Sequence, residues 1–176
     1  SLLGELLPSR GIYERSDVEV REKEGLPPAT GLLAGQERPA LVHIIENGHR
    51  FIVDIKQGQK TGFYLDQREN RQKLTRYGHG KTVLNCFAYT GAFAIYAAGA
   101  GAKKVVNVES SAEALQLAQR NMALNGFDGR DDEYVEGDAF QVLRQYRAEG
   151  RSFDLIVLDP PKFAVSQSQV QAACRG

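Results

Sequence analysis

The sequence predicts an α/β fold built on a parallel sheet, preceded by a small α/β region with a β-hairpin. Three observations carry that prediction. From Lys81 onward, short apolar runs alternate with stretches of helical period, the pattern of successive right-handed βαβ units. The short runs are apolar almost throughout, as strands are when helices cover both faces of a sheet. Upstream, two β-rich runs flank Asn47-Gly48, the dipeptide that best tolerates the positive φ angles of a type I′ turn.

Taken in order, Leu2 to Leu7 reads as the end of a helix closed by Pro8. Gly25 to Gly31 reads as a loop by composition, and so does much of the chain to Pro39. The hairpin strands are Leu41–Glu46 and His49–Ile55, and a helix is expected over Asp66–Arg76. Thr82–Asn85 is the first strand of the parallel set, and Gly91–Gly99 the first helix. Lys104–Val108 follows as a strand, then Ser111–Leu124 as a helix with Ala114, Leu115, Leu117, Ala118, Met122 and Leu124 mostly at helical spacing. Glu133–Val135, Ala139–Arg147 and Phe153–Leu158 complete the alternation as strand, helix and strand. The first strand is expected between the second and the fourth, which leaves the fourth at an edge.

Composition narrows the function classes. Of 176 residues, 42% are apolar and 25% charged, enough apolar material for a core and too much for a chain disordered throughout. The longest apolar run, Ala92 to Ala100, falls far short of the roughly 18 residues that span a bilayer. The opening Ser1–Leu7 lacks the basic region of a secretory leader. Lys and Arg number 22 and Asp and Glu 22, so the net charge is zero; this argues against a simple polycation but leaves a local basic face open. Two cysteines, Cys86 and Cys174, make neither a disulfide framework nor a zinc site, so a reducing cytoplasm is expected. The chain begins with Ser and stops soon after an apolar strand, and is expected to be a piece of a longer protein.

In such a sheet, ligands bind at the carboxyl ends of the strands, near the switch point. Four polar features fall there, one per strand: Asn85–Gly91, Glu109, Asp138, and Asp159-Pro160-Pro161-Lys162-Phe163. Glu109 suits either a solvated strand end or an acceptor for ribose hydroxyls. Asp138 suits equally a helix N-cap. Together, in order, the four point to a nucleoside cofactor. The first turn offers only Gly91 rather than Gly-x-Gly-x-x-Gly, which disfavours a pyrophosphate and hence NAD.

These features match the motif order of class I S-adenosylmethionine-dependent methyltransferases, whose Rossmann-like sheet would here be represented by its first half. Thr61–Arg68, Asn85–Gly91 and Leu158–Phe163 further resemble the bacterial large-subunit ribosomal RNA cytosine-C5 methyltransferases of the RlmI type, as do Ile12–Asp17 and Ala173–Gly176. The resemblance implies that residues 1–77 are a central α/β region with hairpin and linker helix. It implies that residues 78–176 are the N-terminal half of the methyltransferase domain, and that the protein is cytoplasmic.

It also implies roles. The turn containing Asn85, Phe87, Tyr89, Thr90 and Gly91 would hold the methionine part of S-adenosylmethionine; Asn85 stands where many class I enzymes have an acid. Glu109 would bind the ribose and Ser110 lie near the adenine. Asp138 would accept from the adenine amino group, with Ala139 beside it. Gln67 and Arg68 would close over the methionine end, although Arg68 also suits an exposed helix face. Asp159 would face the target base and act in catalysis.

For a cytosine, a cysteine thiolate attacks C6 and makes C5 nucleophilic. That nucleophile is expected beyond residue 176, since Cys86 and Cys174 read as structural thiols. The visible chain alone should therefore be inactive. A ribosomal RNA guanine-N7 methyltransferase and a non-catalytic cofactor- or RNA-binding module remain as alternatives. Lys56, Lys60, Arg68, Arg71, Lys73 and Arg76, interleaved with Phe63, Tyr64 and Tyr77, suit either single-stranded RNA or a solvated helix face. His43, His49 and His79 show no metal-ligand spacing, and no metal is expected.

Overall fold

The computed structural model describes residues 10–16 and 20–161. The helix expected at Leu2–Leu7, and Lys162, Phe163 and Cys174, lie outside the described residues. The described chain divides into two compact units. One holds the residues up to Val42 together with Val53–Phe63; the other holds His43–Ile52 and the residues from Tyr64 onward. No helix among the described residues is long and apolar enough to cross a membrane.

In the first unit, β1 (Gly11–Ser16) and β2 (Ala29–Gly35) pair antiparallel, with Gly11 opposite Gly35 and Ser16 opposite Ala29. This corrects the loop expected over Gly25–Gly31 and onward. The β2 sequence, Ala-Thr-Gly-Leu-Leu-Ala-Gly, has little intrinsic strand preference. Strand preference mostly expresses fit to a neighbour, and β1 supplies that neighbour from across a short helix, α1 (Val20–Lys23). Leu26 N–H donates to the Arg21 carbonyl at 2.8 Å, and Arg21 Nε to the Pro27 carbonyl at 3.0 Å, which closes the segment onto α1.

The hairpin forms as expected from β3 (Leu41–Glu46) and β4 (His49–Asp54). Asn47 has φ 49° and Gly48 φ 86°, so both turn residues occupy the left-handed region that a type I′ turn demands.

In the second unit a 3₁₀ turn, Leu65–Gln67, leads into α2 (Arg68–Gly78). The helix expected at Asp66–Arg76 therefore opens with a tighter turn and runs on to Gly78. Four strands follow: β5 (Thr82–Cys86), β6 (Lys104–Glu109), β7 (Glu133–Glu136) and β8 (Leu155–Leu158). They alternate with α3 (Ala92–Gly99), α4 (Ala112–Leu124) and α5 (Ala139–Ala148). The strands lie in the order β7-β6-β5-β8, all parallel, so β5 sits between β6 and β8 as the sequence predicts.

Alternate residues of each strand face opposite helix layers. Leu84, Cys86, Val106 and Val108 pack with Ala139, Val142 and Tyr146 of α5. On the other face Val83 and Val105 are fully buried, as are Ile95 of α3 and Ala118 of α4. Asn85 and Asn107 are in register on that second face, and Asn85 Nδ2 donates to Asn107 Oδ1 at 3.0 Å. The fourth strand begins two residues later than expected. Asp154 replaces a ladder residue with its side chain: Thr82 N–H donates to its carboxylate at 2.8 Å, and its own N–H donates to the Thr82 carbonyl at 3.0 Å.

The hairpin tip is fastened within this unit by a buried polar cluster. Arg71 of α2 is 1% exposed, and its Nε and Nη2 donate to the two Glu46 carboxylate oxygens at 2.8 and 2.9 Å. Tyr96 of α3 donates its hydroxyl to Glu46 Oε1 at 2.9 Å and accepts from Asn47 Nδ2 at 3.0 Å. Burial, followed by the Glu46 carboxylate, pushes the Tyr96 hydroxyl up to about 12, so it stays a donor. This corrects the grouping of Arg71 with the surface cations of a possible RNA face: its guanidinium is spent on a buried ion pair.

Candidate cofactor site

The turn after β5 has an unusual backbone. Phe87 (φ 56°), Tyr89 (φ 48°) and Gly91 (φ 78°) are all left-handed. For residues with a Cβ such geometry costs on the order of 1–3 kcal/mol each, and it persists only where the surroundings impose it. Ala88 N–H donates to the Val108 carbonyl at 3.0 Å, Tyr89 N–H to Glu109 Oε2 at 2.8 Å, and Gly91 N–H to the Ala88 carbonyl at 2.9 Å. Gly91 precedes α3 and lies against α4, where a Cβ would come within 2.8 Å of Ala118 Cβ. The absence of a side chain at Gly91 thus serves both the turn and the helix packing.

Glu109, at the tip of β6, is 7% exposed. Its Oε1 accepts from Ser110 N–H at 2.8 Å, Ser110 Oγ at 3.1 Å and Ser111 N–H at 3.1 Å, while Oε2 accepts from Tyr89 N–H. Four donors offset the cost of burying this carboxylate. The next strand end is tied to the same residue, because Gly137 N–H donates to the Glu109 carbonyl at 2.9 Å. Asp138 follows at the N-cap of α5, where its Oδ1 accepts from Gln141 N–H at 2.9 Å. The N-cap reading of Asp138 is therefore realised. Ala139 is buried beneath it.

Asp159 follows β8 and receives Gln67 Nε2 at 3.1 Å. Asn70 Nδ2 donates to Gln67 Oε1 at 2.7 Å, which turns the Gln67 amide nitrogen toward Asp159. Tyr64 meets Tyr89 edge-on, with ring centroids 5.7 Å apart. Burial, then the charges of Asp159, Asp66 and Glu109, push the Tyr64 hydroxyl up. The register sets Cys86 opposite both Val108 and Leu158, so the ends of β6, β5 and β8 lie side by side, with Tyr64 against Tyr89 of the middle turn. Phe87 meets Phe140 of α5 edge-on at 5.8 Å. Arg68 is exposed and donates to Asn47 Oδ1 at 3.2 Å.

The structure thus brings Tyr89, Glu109 and Asp159 to one rim of adjacent strand ends, with Gln67 against Asp159 and Tyr64 against Tyr89. Thr90 and Asn85 lie beneath it, 4% and 2% exposed, with the Asn85 amide engaged by Asn107. Sequence reasoning did not assign Asn47, Asn70 or Asn121 to this region. Asn47 and Asn121 have partners on distant elements that no local pattern marks, whereas Asn70 pairs with Gln67 at i,i+3, a spacing the sequence does carry.

Residues 24–174 match the S-adenosylmethionine-dependent methyltransferase family. The chain belongs to that family. It is 56% identical to the ribosomal RNA large subunit methyltransferase I of Shewanella amazonensis over 177 aligned residues, covering 100% of this chain and 44% of that protein. Among solved structures it resembles an S-adenosylmethionine-dependent methyltransferase from Streptococcus mutans, with TM-score 0.76 and 32% identity over 93% of this chain and 42% of that one. It also resembles the methyltransferase SMU.776, solved with SAH, with TM-score 0.71 and 36% identity over 77% of this chain and 36% of that one. The chain therefore spans less than half the length of these relatives.

The rim fits the cofactor of this family. Among the described residues Glu109 Oε2 accepts one hydrogen bond, from Tyr89 N–H, which leaves it capacity for a further donor such as a hydroxyl. Cys86, although adjacent to the turn, is fully buried, and that burial pushes its thiol up to about 11. A neutral, enclosed thiol is not a nucleophile at neutral pH.

Proposed function

We propose that this chain is the cofactor-binding part of a cytoplasmic methyltransferase that modifies large-subunit ribosomal RNA, with C5 of a cytosine as the target atom. The observation that carries the reading is the rim on which Glu109 and Asp159 stand at the ends of β6 and β8, on either side of the β5 turn, with Tyr64 against Tyr89 and Gln67 against Asp159. The names of relatives such as the Shewanella protein support ribosomal RNA as the substrate.

In this reading the Asn85–Gly91 turn and Glu109 hold the methionine and ribose parts of S-adenosylmethionine, with Ser110, Asp138 and Ala139 on the adenine side. Gln67 and Arg68 border the methionine end. When bound, S-adenosylmethionine supplies an electrophilic methyl group. Asp159 faces the base and stabilises charge that develops at N3 when a thiolate adds to C6. Its carboxylate is held by Gln67, whose own orientation is fixed by Asn70. Alignment of the two reactants lowers the barrier by several kcal/mol. Cys86 does not supply the thiolate, so a cysteine elsewhere in the complete polypeptide does. In the same reading, the methyltransferase domain begins at residue 78, after the central region.

The test is methylation of large-subunit ribosomal RNA by the complete polypeptide, followed by nucleoside mass spectrometry. 5-Methylcytidine is the expected product. 7-Methylguanosine would replace the cytosine reading with the guanine-N7 one, and no methylated nucleoside would leave a binding module.

A further inference from the structure

Helix α4 reaches the hairpin through two asparagines one turn apart. Asn121 is fully buried: its Oδ1 accepts from Ile52 N–H at 2.7 Å, and its Nδ2 donates to the Ile52 carbonyl at 3.4 Å and the Thr90 carbonyl at 3.0 Å. Asn125 Oδ1 accepts from Arg50 N–H at 2.9 Å, and its Nδ2 donates to the Arg50 carbonyl at 2.7 Å. Both side chains therefore act on β4 as a partner strand would. Only Asn121 also grips the turn after β5.

That extra contact bears on the most strained backbone in the site. Thr90 lies between Tyr89 and Gly91, both left-handed, and its carbonyl accepts from the amide of the buried Asn121, which also bonds Ile52. The opposite end of the hairpin contacts Arg68 through Asn47 Oδ1. The hairpin is thus linked to two segments assigned to the cofactor, to the β5 turn by way of Asn121 and to Arg68 through Asn47.

We infer that Asn121 is a positioning residue for the cofactor site, holding the Phe87–Gly91 turn in its binding geometry against strand β4. The inference rests on the reading that this turn holds S-adenosylmethionine. Asn125 provides the internal control, since it ties the same helix to the same strand without touching the turn.

The experiment uses the complete polypeptide and calorimetric titration with S-adenosylmethionine. Glu109→Ala is measured first, and unchanged affinity there would defeat the site reading itself. With that control in place, Asn121→Ala weakens binding by roughly tenfold, whereas Asn125→Ala stays within about twofold. Equal effects of the two substitutions would overturn the inference. A readout on the unmodified protein guards against an Asn121 variant that fails to fold. Hydrogen exchange at the Ile52 N–H, which Asn121 accepts, slows on saturation with S-adenosylmethionine, and more than at the Arg50 N–H. Equal protection of the two amides, or none, would also overturn it.

Discussion

In the proposed function Glu109 would bind the ribose with the same carboxylate that restrains Tyr89, so its removal would act twice. Glu109→Ala should weaken S-adenosylmethionine binding by about 2–4 kcal/mol, the loss of charge-assisted hydrogen bonds together with release of the left-handed turn. Isothermal titration of the complete polypeptide checks this, and unchanged affinity would remove Glu109 from the site. Asp159 is the contrasting case, because its carboxylate is held by Gln67 at the end of another strand. Asp159→Asn should leave cofactor affinity within about twofold while methyl transfer falls by two or more orders of magnitude, on the order of 3 kcal/mol or more of barrier. Near-normal turnover would make Asp159 a structural residue. The positions of these two acids were legible because each follows an apolar run and so stands at a strand tip, and that of Asp138 because it precedes a stretch of helical period. Asn121 was not: it sits inside a helix that reads as amphipathic, and its partners Ile52 and Thr90 belong to other elements. The buried pair of Glu46 and Arg71 was hidden for the same reason, and composition assigned Arg71 to the wrong environment.

Among the elements, β5 and β6 were legible because burial on both faces leaves nearly continuous apolar runs, and β7 and β8 from their place in the strand–helix alternation. The hairpin was legible from two turn residues. Pairing of β1 with β2 was not, since glycine and alanine carry no signal for a partner across α1. The attachment of α2 to the hairpin tip is the element-level contact with the clearest energetic consequence. Arg71→Ala would leave the Glu46 carboxylate buried and without its cation, at a cost of about 3–5 kcal/mol. Urea unfolding monitored by circular dichroism should show that loss as a lower transition midpoint. A double substitution, Glu46→Leu with Arg71→Leu, should recover much of it, because the penalty arises from the orphaned charge. If the single and double substitutions prove equally destabilising, the cluster acts through packing instead.

For the whole molecule, the exposed edge at β8 matters most. Ile156 is 54% exposed and Leu158 59% exposed on a strand that pairs with β5 alone among the described residues. An apolar edge of this kind templates pairing with another chain. Residues 1–176 expressed alone should therefore associate or precipitate, and Ile156→Lys should shift the material toward monomer. Size-exclusion chromatography with light scattering decides this. A stable monomer without the substitution would mean that the edge is protected within these residues. In the complete polypeptide, a later strand is expected to take that position.

The asparagine pair on α4 has a consequence for how this chain can change length. Four helical residues rise about 6 Å, and two strand residues about 6.6 Å. The two periods therefore coincide over one turn of helix and one repeat of strand. Asn121 and Asn125 meet Ile52 and Arg50 only while these counts hold. Inserting one residue between the asparagines would swing the second by about 100° off the strand. Inserting one between Arg50 and Ile52 would turn one of the two backbone groups to the opposite edge. Neither segment can drift in length independently of the other, whereas an insertion at the tip, Asn47-Gly48, falls outside the matched interval and acts instead on the bonds of Asn47 to Tyr96 and Arg68.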